Sequence, residues 1–342
     1  ILSGAYGRAL SGVPEAQDKR KAAYHLAQGP FKQALGLWYA HEKFSPEAKA
    51  DVEKKVATMI DVYKERLAKN DWLTPETREK AIVKLNVIKP YIGYPEELPA
   101  RYKDKVVDES ASLFENALAF ARVEIKHSWS KWNQPVDYKE WGMPAHMVNA
   151  YYNPQKNLIV FPAAILQAPF YDLHQSSSAN YGGIGAVIAH EISHAFDTNG
   201  ASFDENGSLK DWWTESDYAA FKEKTQKVID QFDGQESYGA KINGKLTVSE
   251  NVADLGGIAA ALEAAKRESD FSAEEFFHNF ARIWRMKGRP ELMKLMASVD
   301  VHAPAKLRVN IQVPNFDDFF TTYDVKEGDG MWRSPEDRVI IW

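Results

Sequence analysis

The protein has 342 residues, of which 44% are hydrophobic and 26% are charged, and its formal net charge at pH 7 is −6. This composition is typical of a folded globular chain long enough for two lobes around a sizeable core, and it excludes a disordered protein. The negative charge, and the lack of a basic cluster interleaved with aromatic residues, argue against a nucleic-acid partner.

The sequence contains no cysteine, which excludes disulfide bonds, thiolate metal ligands and a cysteine nucleophile. A reducing bacterial cytoplasm fits this best, and a secreted or cell-surface location is the alternative. There is no run of 18 apolar residues, so we expect no transmembrane segment in this portion. The opening ILSGAYGRALSG has neither an initiator Met nor a charged leader and is typical of the middle of a longer chain.

From about residue 17 to 140 the pattern is mostly helical. Ser45 followed by proline predicts an N-cap and a helix start, and apolar residues then recur at helical spacing. Thr74 followed by proline repeats the signal, and this second helix should stop before Pro90. These helices are predicted to form a scaffold.

The character of the sequence changes near residue 142. Two β-rich runs separated by the segment NPQKN (153–157) predict a hairpin. The glycine-rich GGIG (182–185) then leads into an apolar, buried helix, where we expect the glycines to allow close helix packing because no phosphate-loop or Rossmann pattern follows. Further on, an Asn-Gly turn and a cap at Ser249 predict a helix beginning at Glu250.

His190 and His194 lie four residues apart, on one face of the predicted helix, with Glu191 beside the first. H-E-x-x-H on a helix is a zinc-protease signature in which the histidines bind the metal and the glutamate is the general base. The alternative is a pair of hydrogen-bonded core histidines. At His41 the segment HEKFS has the His-Glu pair but Ser45 in place of the second ligand, so we expect a solvated helix end there.

A catalytic zinc site needs a third protein ligand and an open position for water. No histidine follows His194 at short spacing, and Glu250 can supply a carboxylate from the next buried helix. Asp254, one turn later on the same face, could accept the outer N–H of a ligand imidazole, and Asp197 is a weaker candidate for this role. The alternative for this acidic segment is a solvated helix N-terminus, which the helix dipole favours.

Such a site predicts one Zn²⁺ per chain and a zinc-bound water whose proton Glu191 takes as the water attacks a peptide carbonyl. The reaction also needs a hydrogen-bond donor for the developing oxyanion. The segment DVHAPAKLR offers His302 and Arg308, and sequence spacing does not tell which of them is the donor. A structural zinc domain is disfavoured, because three protein ligands beside a general base are the catalytic arrangement.

The chain resembles the neprilysin (M13) family of zinc metallopeptidases, and within it the bacterial PepO-like oligopeptidases. The motifs that carry the likeness are VNAYYNP, FPAAILQAPFYD, VIAHEISHAFD, ENVADLGG, VDVHAPAKLRVN and the closing VIIW. The resemblance implies a mainly α-helical fold with a small β-sheet (α+β). Residues 141–342 would form a thermolysin-like zincin catalytic domain, and the mostly helical residues 1–140 would belong partly to a second lobe.

The resemblance also implies roles for individual residues. The metal ligands would be His190, His194 and Glu250, and the catalytic residues Glu191, Asp254 and His302, the last stabilising the oxyanion. Asn149 and Ala150 would contact the backbone of an extended peptide, and Arg308 would hold a substrate carbonyl by its guanidinium fork. The apolar pocket for the residue after the scissile bond would be lined by four residues that core packing explains equally well: Ile165, Phe170, Val187 and Trp284.

This sequence departs from the family pattern in two ways. Val339 stands where vertebrate relatives carry a cysteine, which favours the cysteine-free bacterial branch. Family members are about double this length, and the missing portion is N-terminal and would roof much of the active-site cavity. We therefore expect a complete set of zinc and catalytic residues in an incomplete substrate enclosure.

The leading hypothesis is a zinc metalloendopeptidase that hydrolyses short peptides on the amino side of hydrophobic residues. The alternative is a catalytically incomplete fragment that acts as a peptide- or protein-binding module, against which the intact site residues argue. The expected partners are peptide substrates and the absent N-terminal half of the same protein.

Overall fold

A computed structural model of the protein describes the backbone of residues 2–342 and the side chains of residues 4–342. Within this range the chain is mainly α-helical. The helices are α1 (Leu2–Ser11), α2 (Lys19–Lys43), α3 (Pro46–Lys69), α4 (Pro75–Asn86), α5 (Leu113–Ser130), α6 (Ser177–Asn180), α7 (Ala186–Ser193), α8 (Glu215–Phe232), α9 (Gly244–Ala265), α10 (Ala273–Ile283), α11 (Pro290–Val299), α12 (Ala305–Asn310) and α13 (Asp317–Tyr323). The strands are β1 (Lys89–Gly93), β2 (Tyr151–Asn153), β3 (Leu158–Pro162), β4 (Glu236–Ser237) and β5 (Ala240–Lys241).

The two capping signals near the N-terminal end are confirmed. The Ser45 side chain accepts the N–H of Ala48 at the start of α3, and the Thr74 side chain accepts the N–H of Thr77 at the start of α4. In both helices proline occupies the first position, where its missing N–H costs nothing. α4 ends at Asn86, before Pro90, as expected.

The larger sheet has the strand order β1-β3-β2, with β3 parallel to β1 and antiparallel to β2. The predicted hairpin is confirmed, because β2 and β3 pair across residues 153–157. All five residues of β3 are buried. β2 has no strand neighbour on its other side within residues 2–342, so its outer backbone edge is open.

Close packing of α7 against α9 brings the predicted metal ligands together. Gly257 makes this approach feasible: a Cβ there would lie 2.9 Å from both the Ala186 carbonyl oxygen and the His190 backbone nitrogen. The GGIG segment forms a π-helical turn before α7. At Gly182 a Cβ would lie 2.1 Å from the Phe276 carbonyl oxygen, so the expectation of close packing at GGIG is confirmed.

The predicted start of the helix that carries Glu250 is wrong. α9 begins at Gly244, because the Asn243 side chain caps it by accepting the N–H groups of Lys245 and Leu246. The Asn-Gly pair is therefore an N-cap and first residue and not a separate turn. Ser249 lies inside the helix, and its hydroxyl donates to Asp197 at 2.6 Å.

The hydrophobic core crosses the boundary predicted at residue 140. Buried residues from α3, α4 and β1 belong to the same cluster as those of α7 and α9, and the Tyr63 hydroxyl donates to the Ala189 carbonyl at 2.8 Å. The division into residues 1–140 and 141–342 stays a prediction. None of the described helices combines the length and apolar character that a bilayer crossing requires.

Candidate active site

Three potential metal ligands converge where α7 meets α9. His190 lies in the last turn of α7 and His194 caps its C-terminus, so both imidazoles project from one side. Their Nε2 atoms are 3.0 Å apart. Oε2 of Glu250, from the second turn of α9, lies 3.2 Å from Nε2 of His190 and 3.4 Å from Nε2 of His194.

This donor set fits a zinc ion. One ligand atom from each of the three residues lies within 4.8 Å of the other two, and Glu250 Oε2 is buried without a hydrogen-bond partner in the described part of the chain. Burial raises the pKa of Glu250, but the neighbouring imidazoles outweigh it and hold that pKa well below its usual value. Two imidazole nitrogens, one carboxylate oxygen and an open side are one of the ligand sets found at catalytic zinc sites.

Each ligand imidazole contacts a carboxylate through Nδ1, the ring nitrogen that faces away from the other ligands. Nδ1 of His190 is 2.8 Å from Oδ1 of Asp254, and Nδ1 of His194 is 2.5 Å from Oδ2 of Asp197. Such contacts leave Nε2 of each ring for the metal and set its orientation. Burial lowers the pKa of His194, but the carboxylates of Asp197 and Glu250 raise it well above its ordinary value.

Glu191 points into the same site and is 6% exposed. Burial raises the pKa of its carboxyl group, while the two nearby histidines act in the opposite direction. A glutamate with a raised pKa is better matched to proton transfer near neutral pH than a solvated one.

Arg308 differs from the expectation that its guanidinium fork would hold a substrate carbonyl. Its Nε and Nη2 donate to the two carboxylate oxygens of Asp254 at 2.7 and 2.6 Å. Burial raises the pKa of Asp254, but the Arg308 charge opposes this and lowers it to about 2. The guanidinium also lies 3.7 Å over the Trp284 ring, and within the described chain Nη1 makes no hydrogen bond.

His302 approaches the metal ligands from the loop before α12. Its Nε2 is 3.2 Å from Oε2 of Glu250, and its Nδ1 is 2.9 Å from Oδ1 of Asp300. The Glu250 contact raises the pKa of His302, and burial acts against it. Sequence reasoning missed Asp300. The D-x-H spacing in DVH is a weak signal that the aspartate contacts the histidine ring.

The predicted site residues line one cleft of about 810 Å³. Asn149 and Ala150 lie at its rim just before the open edge of β2, and the Asn149 side chain accepts the Ala150 N–H at 2.9 Å. The four predicted pocket residues also line the cleft, together with a wall from α11 and the turn before it that sequence reasoning missed: Met286, Leu292, Met293, Met296 and Ala297.

The model of peptidase family M13 matches residues 149–339, and the N-terminal model of the same family matches residues 2–95. The chain belongs to peptidase family M13. A Streptococcus gordonii protein described as a zinc metalloproteinase of the scaA 5′ region is 84% identical over 276 residues, which are 81% of this chain and 49% of the relative. The neutral endopeptidase of Lactococcus lactis is 55% identical over all 342 residues and 54% of its own length.

Among solved structures, PepO from Lactobacillus rhamnosis is similar over the whole chain with a TM-score of 0.95 and 42% identity, and 54% of that structure is covered. Zinc metalloprotease Zmp1 of Mycobacterium tuberculosis, in complex with an inhibitor, is similar with a TM-score of 0.93 and 36% identity. The match covers 98% of this chain and 53% of the Zmp1 chain. The expected α+β zincin fold is thereby confirmed. The M13 chain described here spans about half the length of the relatives it matches.

Proposed function

We propose that the chain carries the catalytic machinery of a zinc metalloendopeptidase that cleaves short peptides on the amino side of hydrophobic residues. One observation supports this above all: the donor atoms of His190, His194 and Glu250 converge beside the buried carboxyl group of Glu191 in one open cleft. The names of the M13 relatives support the reaction class, and the cleavage preference is our inference from the cleft.

His190, His194 and Glu250 would hold the zinc ion, which when bound supplies Lewis-acid polarisation of the scissile carbonyl and acidifies water. Glu191 takes the proton from the attacking water and later delivers it to the leaving amine. Its buried position and raised pKa suit both transfers. Asp254 and Asp197 fix the orientation of the two ligand rings through their contacts with Nδ1.

Substrate would bind along the rim of the cleft. The open edge of β2 can pair with an extended peptide, and Asn149 and Ala150 lie at the point where that pairing would start. Nη1 of Arg308 is free to donate to a substrate carbonyl, since the rest of the guanidinium holds Asp254. Nε2 of His302 is placed to donate to the developing oxyanion, with Asp300 supporting the ring from Nδ1.

The preference for a hydrophobic residue follows from the composition of the pocket. Ile165 and Val187 present aliphatic surface, and Phe170 and Trp284 present aromatic surface to the cleft. Burial of an apolar substrate side chain there is favourable by about 25 cal/mol per Å² of buried surface, whereas a cationic side chain would lose its hydration beside the Arg308 guanidinium, which lies over Trp284.

The replacement Glu191→Gln tests the proposal. It removes the base and spares the ligands, so we expect peptide cleavage to be abolished while about one zinc per chain remains bound, as measured by metal analysis and a peptide assay. Glu274→Gln, on the exposed side of α10, is the matched control and should leave both unchanged. Retained turnover, or loss of zinc from Glu191→Gln, would contradict the assignment.

The alternative is that the site is idle and the chain acts as a peptide- or protein-binding module. The complete set of carboxylates around the metal ligands supports the catalytic proposal over this one. Peptide binding by the wild-type chain without measurable turnover, in the presence of stoichiometric zinc, would favour the alternative. The cytoplasmic location predicted from the absence of cysteine stays a prediction.

A further inference from the structure

A buried lysine outside the catalytic cleft is bonded to the segment that follows the zinc-ligand helix. Lys84 lies on α4 and is 1% exposed. Its Nζ donates to three backbone carbonyl oxygens, at 2.8 Å to Ala195, 2.8 Å to Gly200 and 2.6 Å to Phe203. An ammonium group has three N–H donors, so each finds one acceptor in this arrangement.

The three acceptors bracket the segment of residues 195–203, which carries Asp197. Gly200 connects Lys84 with Asp197: its backbone N–H donates to Oδ1 of Asp197 at 2.6 Å, and its carbonyl oxygen accepts from Lys84. The other oxygen of Asp197 contacts Nδ1 of His194 at 2.5 Å. A chain of direct contacts therefore runs from Lys84 through Gly200 and Asp197 to a metal-ligand ring.

Aromatic rings offset part of the cost of burying this cation. Those of Tyr152, Phe196 and Trp212 lie 5.6–5.9 Å from Nζ and attract the ammonium group. Burial lowers the pKa of Lys84 to about 7, and the carboxylates of Asp197, Asp204 and Glu205 act against that shift. An apolar side chain of similar length would fill the space without desolvating a charge, so packing alone gives no reason for a lysine here.

We propose that Lys84 is a positioning residue for the metal site, which holds the 195–203 segment so that Asp197 stays hydrogen-bonded to His194. The inference rests on the proposed zinc site. Without the ammonium group, the Ala195 carbonyl oxygen loses its donor, while the Gly200 and Phe203 oxygens keep one each, from the Phe203 N–H and the Trp212 Nε1–H. The segment that presents Asp197 is then held less firmly. Loss of an outer partner of a ligand imidazole typically costs 10–100-fold in metal affinity or activity.

Lys84→Met tests this in the zinc-loaded protein. We expect zinc to transfer to an excess of chelator about tenfold faster than from the wild type, and kcat to fall about tenfold with KM nearly unchanged. Lys80→Met is the matched control, because Lys80 lies one turn earlier on α4, exposed and paired with Glu76. Leu85→Ala controls for lost stability, since this buried neighbour makes no hydrogen bond to the 195–203 segment; its zinc transfer should stay near the wild-type rate.

A double-mutant cycle with Asp197→Asn tests the route. If Lys84 acts through Asp197, the acceleration of zinc loss in the double variant should be well below the product of the two single effects. Multiplicative effects, or a Lys84→Met rate equal to that of Lys80→Met, would overturn the proposal. Should Lys84→Met not fold, Lys84→Gln keeps two donors and must lose zinc faster than both the wild type and Lys80→Met. Wild-type protein that holds no zinc would instead refute the proposed function.

Discussion

At the scale of single residues, the pairing of His302 with Asp300 leads to a prediction about the transition state. His302→Ala should lower kcat on a good peptide by roughly a hundredfold with a smaller change in KM, because the lost donor acts on charge that develops during the reaction. Asp300→Ala should lower kcat less, since it removes the contacts at Nδ1 and at the His302 backbone N–H but leaves the Nε2 donor in place. Steady-state kinetics of both variants, with metal content checked, measures this.

The control for Asp300→Ala is Asp324→Ala, which removes an exposed carboxylate paired with Lys326, and it should leave kcat unchanged. An unchanged kcat in His302→Ala would remove His302 from the mechanism. A larger loss in Asp300→Ala than in His302→Ala would mean that Asp300 acts on something other than this ring.

The sequence predicted the residues of the site better than their partners. His190, His194 and Glu250 follow from ligand chemistry and helical spacing, and the structure brings them together. The contacts of Arg308 with Asp254, and of Asp197 with Ser249, depend on how α12 and the 195–203 segment cross α9. No local pattern encodes those crossings, so the sequence alone predicts neither the contact of the Arg308 guanidinium with Asp254 nor that of the Ser249 hydroxyl with Asp197.

At the scale of secondary-structure elements, one carboxylate joins the N-termini of two helices. Asp217 is buried, its Oδ1 accepts the Thr74 N–H at 2.7 Å, and its Oδ2 accepts the hydroxyls of Thr77 and Thr214 at 2.6 Å each. Thr74 caps α4 and Thr214 caps α8. The negative charge also suits the positive ends of both helix dipoles.

Asp217→Asn should therefore lower the free energy of unfolding at pH 7 by about 2–3 kcal/mol. Burial raises the pKa of Asp217, but the hydrogen bonds from the threonines outweigh it and lower the pKa below the usual value. The stabilising contribution is accordingly present above the unfolded pKa near 3.8 and is lost as the pH falls through the lower folded value. The gap between the variant and the wild type should shrink in acid.

Denaturant unfolding at a series of pH values measures this gap. Asp230→Asn, on the exposed side of α8, is the matched control and should change stability little at any pH. A gap that stays constant down to pH 2 would show that the charge of Asp217 is not what holds the two helices.

The helix starts at Ser45 and Thr74 were predictable because a capping residue before proline is unambiguous. The start of α9 was not, because Asn-Gly serves equally as a hairpin turn and as an N-cap with its first helical residue. Here the Asn243 side chain accepts two backbone N–H groups, and the helix begins six residues before Glu250. Which of two locally equivalent uses occurs depends on packing of the whole segment.

At the scale of the whole molecule, α5 leaves an apolar face uncovered. Phe114, Leu118, Ile125 and Trp129 recur at helical spacing on one side of it and are 42–71% exposed, while Phe120 packs on the opposite side against Phe31. Contiguous apolar surface of this kind marks an interaction site. Because the relatives are about twice as long, we propose that the remaining half of a full-length protein covers this face and encloses the cleft.

The 342-residue chain alone should therefore bind zinc, cleave peptides poorly and self-associate. Replacing Phe114 and Trp129 by serine should reduce both self-association, measured by light scattering, and binding of a hydrophobic dye, without loss of zinc or helical signal. The control pair Glu223→Ser and Gln226→Ser, on the polar side of α8, should change neither.

Adding the N-terminal half of a full-length relative as a separate polypeptide should raise kcat/KM of the wild-type chain and suppress dye binding at α5, because it supplies the missing cover. Fully active, monomeric chain without dye binding would show instead that these residues form a self-sufficient minimal peptidase.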